Sequence, residues 1–299
     1  LKMNNRNIFD LILLAALWGA SFLFMRVSVP EFGAVPMMMV RVALAGLFLL
    51  PFVWWKKRQQ VMIEKVVPIS IVGIFNSAIP FSLIAYSTLY VTAGFASVLN
   101  AATPMCAAVI AYLWLNQRLT RSAVIGLFIG LVGVVLLVWD KIGFSGDEST
   151  FAILAGLGGA FFYGIAANYS KKRLAGVDAL AITTGSQISA AIFLLPMAVA
   201  WWPAQMPSIA SWINVVVLAI VCTGFAQILY FRLIDQAGAA NATTVTFLIP
   251  VFGMVWGGLF LDEIVTLDTL LACAVILAGT GLTTGFLKLP LKKKAVNKA

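Results

Sequence analysis

The chain contains no histidine, and only 10% of its 299 residues are charged, where an ordinary soluble domain carries about 25%. Without histidine, clustered carboxylates or a glycine-rich nucleotide loop, little is left from which to build an enzyme or an ATP-driven pump. The 3 cysteines, Cys106, Cys222 and Cys273, all fall in apolar stretches at no metal-ligand spacing, so neither a disulfide framework nor a metal site is expected, and no cofactor is assigned. Lysine is also missing from the middle of every apolar run, which excludes a retinal Schiff base. No ring of charges or carbonyl filter of the kind a channel needs is recognisable.

Hydrophobic residues, by contrast, make up 62% of the chain. They fall into ten runs, at 9–28, 36–55, 67–88, 93–114, 121–139, 150–170, 179–201, 211–231, 239–261 and 266–287. Each is long enough to cross about 30 Å of hydrocarbon as a helix, and none alternates as the strands of a β-barrel do. The expected fold is an all-α integral membrane protein of ten transmembrane helices, with the lipid bilayer as its surroundings. The first run has a basic flank like a signal peptide but reads as a retained helix, and Leu1 and Lys2 read as an addition ahead of Met3.

The net charge of +9 is topological. Of the 20 lysines and arginines, all but Arg26, Arg41 and Lys141 fall in segments that share one side of the membrane. Both termini are therefore expected in the cytoplasm, and no nucleic-acid partner is implied. Tryptophan pairs Trp54-Trp55 and Trp201-Trp202 close the second and seventh runs, where indole rings favour the membrane interface.

The stretch from Ala96 to Gly133 returns 146 residues later as Ala242 to Gly279. Ser97, Asn100, Pro104, Ala107 and Ala111 share a helical face in the first copy, and Thr243, Thr246, Pro250, Gly253 and Gly257 take those places in the second. Ala45, Phe48, Leu49, Leu50 and Pro51 return as Ala190, Phe193, Leu194, Leu195 and Pro196, and Trp18-Gly19 as Tyr163-Gly164. Each half holds five runs, an odd number, so the second half must enter the membrane from the opposite side. The organisation expected is a first five-helix repeat at 1–140, an outer linker at 141–149, a second, inverted repeat at 150–288 and a basic cytoplasmic tail at 289–299. The matching turns agree, since Asn116-Gln117-Arg118 is basic where Asp262-Glu263-Ile264 is acidic. Glu263 is read as a solvated cap on the outer turn, with coordination of a coupling ion as the sharper alternative.

Polar side chains at mid-membrane are costly and so are expected to face the interior. Ser21, Asn76, Asn100, Thr103, Gln187, Thr223, Gln227 and Thr246 are of this kind. Thr223, Gln227 and Tyr230 share a face of the eighth run, and Asn76 and Pro80 lie together on the third with Tyr86 and Ser87 further out. Trp18 and its mate Tyr163 are read either as cavity walls for flat or apolar substrate groups or as core packing. Pro80, Pro104 and Pro250, inside apolar runs, are candidate hinges, because an interior proline frees a carbonyl that only protein or cavity water can satisfy. Simple kinks in packed helices are the plainer reading. Arg26 and Arg41 are placed in an outer vestibule. Arg41 either pairs with Glu31, snorkels outward or meets a substrate carboxylate, the first two being the plainer readings. Glycines 126, 130, 133, 279, 281 and 285 suit close helix packing, within the chain or in a homodimer.

Two inverted fives with Trp18-Gly19, Arg41 leading into an alanine-rich run, Pro104 and Pro250, and the Asn116-Gln117 and Asp262-Glu263 turns resemble the EamA-type drug/metabolite transporter superfamily. Within it the chain is most similar to the YddG-like amino-acid exporters. The resemblance implies a secondary transporter, not an enzyme, that exports aromatic and other neutral amino acids as its small-molecule substrates. Gln117 stands where relatives commonly carry glutamate at the first turn. Two alternatives stay open: a sugar-phosphate or nucleotide-sugar exchanger of the same superfamily, and a membrane enzyme or lipid-handling subunit.

Overall fold

The computed structural model describes residues 4–139 and 148–287, so most of the expected linker and the whole of the basic tail lie outside the described residues. Among the described residues, nine helices are long and apolar enough to cross a membrane. They are span 1 (Asn5–Phe32), span 2 (Ala34–Trp55), span 3 (Val66–Tyr90), span 4 (Ala93–Leu115), span 5 (Arg121–Val138), span 6 (Glu148–Arg173), span 7 (Ala179–Ala200), span 8 (Ile209–Ala237) and span 10 (Leu267–Thr284). Span 9 is the shorter apolar helix Val245–Leu261, preceded by the single turn Ala239–Ala242. The ten apolar runs thus become ten helical spans.

Boundaries follow local chemistry. Thr92, Thr120, Asp178, Ser208 and Thr266 each accept a backbone N–H of the first turn and so start spans 4, 5, 7, 8 and 10. Gly33 and Gly238 adopt positive φ at the ends of spans 1 and 8, a conformation in which a glycine carries no Cβ penalty. The turns Asn116 and Asp262, repeat mates, both adopt the left-handed conformation.

The helices pack by the repeat. Span 5 lies against span 10 and span 2 against span 7, while span 1 packs on span 9 as its mate, span 6, packs on span 4. Small residues permit each approach. A Cβ on Gly19 would come within 2.6 Å of Phe252, and one on its mate Gly164 within 2.9 Å of the Ala107 backbone, the mate of Gly253. Gly126, Gly130 and Gly133 face Gly279 and Ile276, so these glycine faces bring spans 5 and 10 together within the chain. A Cβ on Gly279 would strike the Gly130 backbone nitrogen, whereas one on Gly258 would find its nearest neighbour at 3.6 Å. Gly279→Ala is therefore expected to cost about 1–3 kcal/mol. Thermal unfolding in detergent should show a lowered midpoint for it and none for Gly258→Ala.

Lys56, Lys57, Arg58, Arg118, Arg121, Lys171, Lys172, Arg173 and Arg232 collect at one end of the bundle, hereafter the basic end. Arg58 pairs there with Asp178 at 3.2 Å, and Arg232 approaches the buried Asp10 at 3.1 Å. Trp54, Trp55, Trp201 and Trp202 are exposed at the two ends.

Candidate functional site

Spans 3 and 8 are repeat mates, and each contains a π-helical turn, at Ile74–Ala78 and Ile220–Phe225. The two turns begin 146 residues apart, at the repeat offset. A π-turn inserts one residue into the helical ladder and re-aims the side chains around it, and such turns are frequent at functional sites. In span 3, Pro80 follows the turn, and the wider loop accommodates the ring that would otherwise press on the carbonyl of Asn76. In span 8 the mate of Pro80 is Ala226, and the Thr223 hydroxyl instead donates to the Leu218 carbonyl at 2.8 Å.

The hydroxyls within the two turns, Ser77 and Thr223, are repeat mates as well, and each receives a long polar side chain from the neighbouring repeat-mate helix. Gln187 of span 7 donates its amide to Ser77 Oγ at 3.0 Å. Arg41 of span 2 donates Nε to Thr223 Oγ1 at 3.0 Å. Both side chains are buried. Each half of the molecule therefore anchors one π-turn of the other half through a buried hydrogen bond.

Aromatic rings pack on the same spans. Trp18 packs on Tyr230 at 5.3 Å between centroids, and its mate Tyr163 packs on Phe81 at 6.2 Å. Asn76 and Gln227, half-buried, make no hydrogen bond to protein among the described residues. Ser21 donates to the Leu17 carbonyl of its own helix and also meets the Cys222 thiol of span 8, and Thr246 donates to the Thr243 carbonyl. Asn100 accepts from Thr103 at 3.3 Å, and Tyr86 stacks toward Tyr90 and the end opposite the basic one. The contacts between spans thus join Gln187 to Ser77, Arg41 to Thr223 and Phe81, and Trp18 to Tyr230, while Asn100 and Thr103 meet within span 4.

Arg41 and the prolines depart from expectation. Arg41 does not lie in a vestibule, snorkel or pair with Glu31. It is 5% exposed, its guanidinium carbon sits 3.9 Å over the Phe81 ring, and Glu31 instead accepts from the Ser208 backbone and hydroxyl at 2.6 and 3.0 Å. Desolvating a long side chain is tolerable here because Thr223 and the π-face of Phe81 replace part of its hydration. The two prolines, in turn, are not equivalent. Span 4 is broken at Ala101-Ala102, immediately before Thr103-Pro104, and the Ala101 carbonyl released by the break accepts Thr280 Oγ1 of span 10 at 3.2 Å. Pro250 lies within the continuous helix Val245–Leu261, and the break in that span comes earlier, at Thr243-Thr244. Thr280, which the sequence did not single out, supplies in span 10 the partner that span 4 needs.

Spans 4 and 9 are each other's mates, so their contact reports directly on symmetry. At the end opposite the basic one they are tightly joined. Glu263 Oε1 and Oε2 accept the backbone N–H groups of Ala93 and Gly94 at 2.7 and 3.2 Å, a carboxylate on a helix N-terminus. Ser97 reaches the Pro250 carbonyl at 3.5 Å, and a Cβ on Gly94 would meet Met254 at 3.0 Å. Arg26 adds a clasp there, donating to the Thr88 and Leu89 carbonyls at 2.6 Å each. The solvated cap expected at Glu263 is thus a half-buried latch between repeats. Its mate at the basic end, Gln117, is instead within 3.5 Å of Lys171 Nζ, and Lys171 is the mate of Arg26. Among the described residues the carboxylate clasp that joins spans 4 and 9 at the Glu263 end has no counterpart between them at the basic end, where the two halves meet instead through the Arg58–Asp178 and Arg232–Asp10 ion pairs.

Known proteins resemble this chain over most of its length. The uncharacterized transporter YvbV of Bacillus subtilis (strain 168) is 26% identical over 89% of this chain and 87% of its own length. An uncharacterized transporter of Archaeoglobus fulgidus is 24% identical over 90% of this chain and 95% of its own, and protein PagO of Salmonella typhimurium is 24% identical over 81% of each. A solved crystal structure superposes with a TM-score of 0.68 at 16% identity, covering 95% of this chain and 99% of that one, which speaks to the fold alone. The pattern that defines the EamA-like transporter family matches twice, over residues 7–139 and again over 150–285, the two halves whose mutual packing is described above. A multi-pass helical membrane protein matched over nearly its whole length by that pattern, the chain belongs to the EamA-like transporter family.

Proposed function

We propose that this transporter exports small metabolites, neutral and aromatic amino acids in particular, from the cytoplasm by alternating access of its two inverted halves. The single observation that supports the mechanism is the broken symmetry of spans 4 and 9. The same pair of mates is latched by Glu263 at one end and unlatched at the other, the relation expected of one of two interconverting states. With the basic end in the cytoplasm, as the charge distribution favours, this asymmetry of spans 4 and 9 is read as an inward-facing state. The aromatic pairs Trp18–Tyr230 and Phe81–Tyr163, on the spans that also carry Asn76 and Gln227, suit a solute with an apolar or flat group and a polar end. A sugar-phosphate exchanger would want several cations near mid-membrane, and the spans offer Arg41 there while Arg26 is engaged by two carbonyls.

Labelled phenylalanine, tyrosine and leucine loaded into proteoliposomes test the substrate class. Saturable efflux, competed by unlabelled neutral amino acids and absent from protein-free vesicles, is the expected result. Efflux of sugar phosphates with none of amino acids would replace this reading by the exchanger. Orientation is checked by thiol labelling in intact cells, in a background lacking Cys106, Cys222 and Cys273. Glu148→Cys is expected to react with an impermeant reagent and Lys172→Cys to be protected, and the reverse pattern would invert the direction of transport.

A further inference from the structure

Arg41 is a buried cation with no anion beside it among the described residues. Among the described residues, the ion pairs join Arg58 to Asp178 and Arg232 to Asp10, and none reaches Arg41. Its partners are neutral and partly weak. Nε donates to Thr223 Oγ1 at 3.0 Å, Nη1 approaches the thioether sulfurs of Met25 and Met38 at 3.8 Å each, and Phe81 offers its ring face at 3.9 Å. A guanidinium carries five N–H donors, and thioether sulfur is a poor acceptor, so this cage leaves much of its hydrogen-bonding capacity unused. Removing such a group from water without an opposite charge is expensive.

The fold itself does not require the cation. Span 7 is the repeat mate of span 2, packs against it as its symmetric partner, and carries Ser186 where span 2 carries Arg41. In the second half the corresponding bond to a π-turn hydroxyl is made by the neutral Gln187, next to Ser186, so that anchor needs no charge. What distinguishes the first half is that Arg41 stands among Thr223 of one π-turn, Phe81 just past the other, and Tyr163 beyond it.

We propose that Arg41 takes the carboxylate of the transported solute, which displaces the Met25 and Met38 sulfurs from the guanidinium edge while Nε stays on Thr223. One fixed positive charge suits a monoanion, and the planar fork of arginine matches the two oxygens of a carboxylate. Phe81 and Tyr163 lie where the apolar remainder of such a solute would pack. The carboxylate assignment rests on the transport reading only for which solute carries that group.

Purified protein reconstituted in nanodiscs provides the test, with phenylalanine, phenylalaninamide, phenethylamine and 3-phenylpropionate as probes, read as ligand-induced shifts of thermal unfolding and as competition for labelled phenylalanine. Wild type should respond to the two carboxylates and not to the amide or amine. Arg41→Gln should lose affinity for the carboxylates by about a hundredfold or more, while its ligand-free Tm stays level or rises because an uncompensated buried charge is gone. Arg41→Lys, which keeps the charge without the fork, should retain an intermediate affinity. A wild type that takes the amide or amine as well as phenylalanine overturns the proposal, as does one that responds to no carboxylate. The wild-type comparison stands even if a variant fails to fold. Should 3-phenylpropionate bind in an Arg41-dependent way while no amino acid binds or moves, Arg41 remains the carboxylate residue and the amino-acid reading falls instead.

Discussion

Glu263→Ala is expected to open the end of the molecule that is now shut, shifting the ratio of the two access states by roughly thirty- to a hundredfold. The carboxylate accepts two backbone N–H groups at the start of span 4, and nothing else caps Ala93 and Gly94 as strongly. Hydrogen bonds to a charged group contribute about 1.5–3 kcal/mol each. Discounted for a half-buried site open to solvent, the pair is taken as about 2–3 kcal/mol, and 1.4 kcal/mol is tenfold in a population. The favoured direction is fixed by geometry, since the bonds exist in the state shut at this end and break in the other. Thiols introduced into spans 4 and 9 near this end should become reactive from the far side in Glu263→Ala. Glu263→Gln keeps one acceptor oxygen and should shift less and retain most flux. Gln117→Glu, the mate substitution, should push the ratio the other way, because by symmetry it faces the amides at the start of the Ala239–Ala242 turn. Unchanged accessibility and flux in Glu263→Ala would reduce the latch to an ordinary helix cap.

Alanine at the two prolines should slow transport by about tenfold while leaving substrate affinity within a few fold, and by different routes. Pro250 interrupts an otherwise continuous helix, so Pro250→Ala restores an N–H to the Thr246 carbonyl and stiffens span 9 directly. Span 4 is already broken before Pro104, and its free Ala101 carbonyl is held by Thr280. Pro104→Ala therefore lets the helix re-form across Ala101-Ala102 only by breaking that bond to span 10. Thr280→Val, which removes the hydroxyl, should mimic part of the Pro104→Ala effect and none of the Pro250→Ala effect. Initial efflux rates and equilibrium binding measured on the same preparations separate rate from affinity. Wild-type rates in both proline variants would make them packing kinks without a part in the cycle.

The spans, their inverted pairing and the glycine seam between spans 5 and 10 are legible in the sequence because they depend on hydrophobic run length and on small residues at a fixed offset, both local properties. The π-turns are not. One extra residue in a turn leaves no compositional trace, and Pro80 flags it in only one half; the signal available was that Ser77 and Thr223 are hydroxyls at the repeat offset. The destination of Arg41 was equally hidden, since a long flexible cation at that depth can reach the interface, a carboxylate or the core. What decides is the acceptor presented by span 8, 182 residues away. Glu263 likewise binds amides 170 residues distant, which no reading of its own turn could identify. The prolines show the limit of repeat logic, for equal positions in the two halves produced a break in one and a continuous helix in the other.

The claim at the centre of this account is that mates exchange roles, one end closing as the other opens. Tyr90 and Ile264 flank the latched end on the sides of spans 4 and 9, and their repeat mates Gln236 and Arg118 flank the basic end, all four being exposed. Spin labels on Tyr90→Cys with Ile264→Cys, and on Gln236→Cys with Arg118→Cys, allow the two separations to be measured by double electron–electron resonance in nanodiscs, with and without phenylalanine and with and without Glu263→Ala. Reciprocal change is predicted: the Tyr90–Ile264 distance lengthens in Glu263→Ala while the Gln236–Arg118 distance shortens, with both distances bimodal under turnover. Two distances that stay fixed, or that lengthen and shorten together, would contradict it.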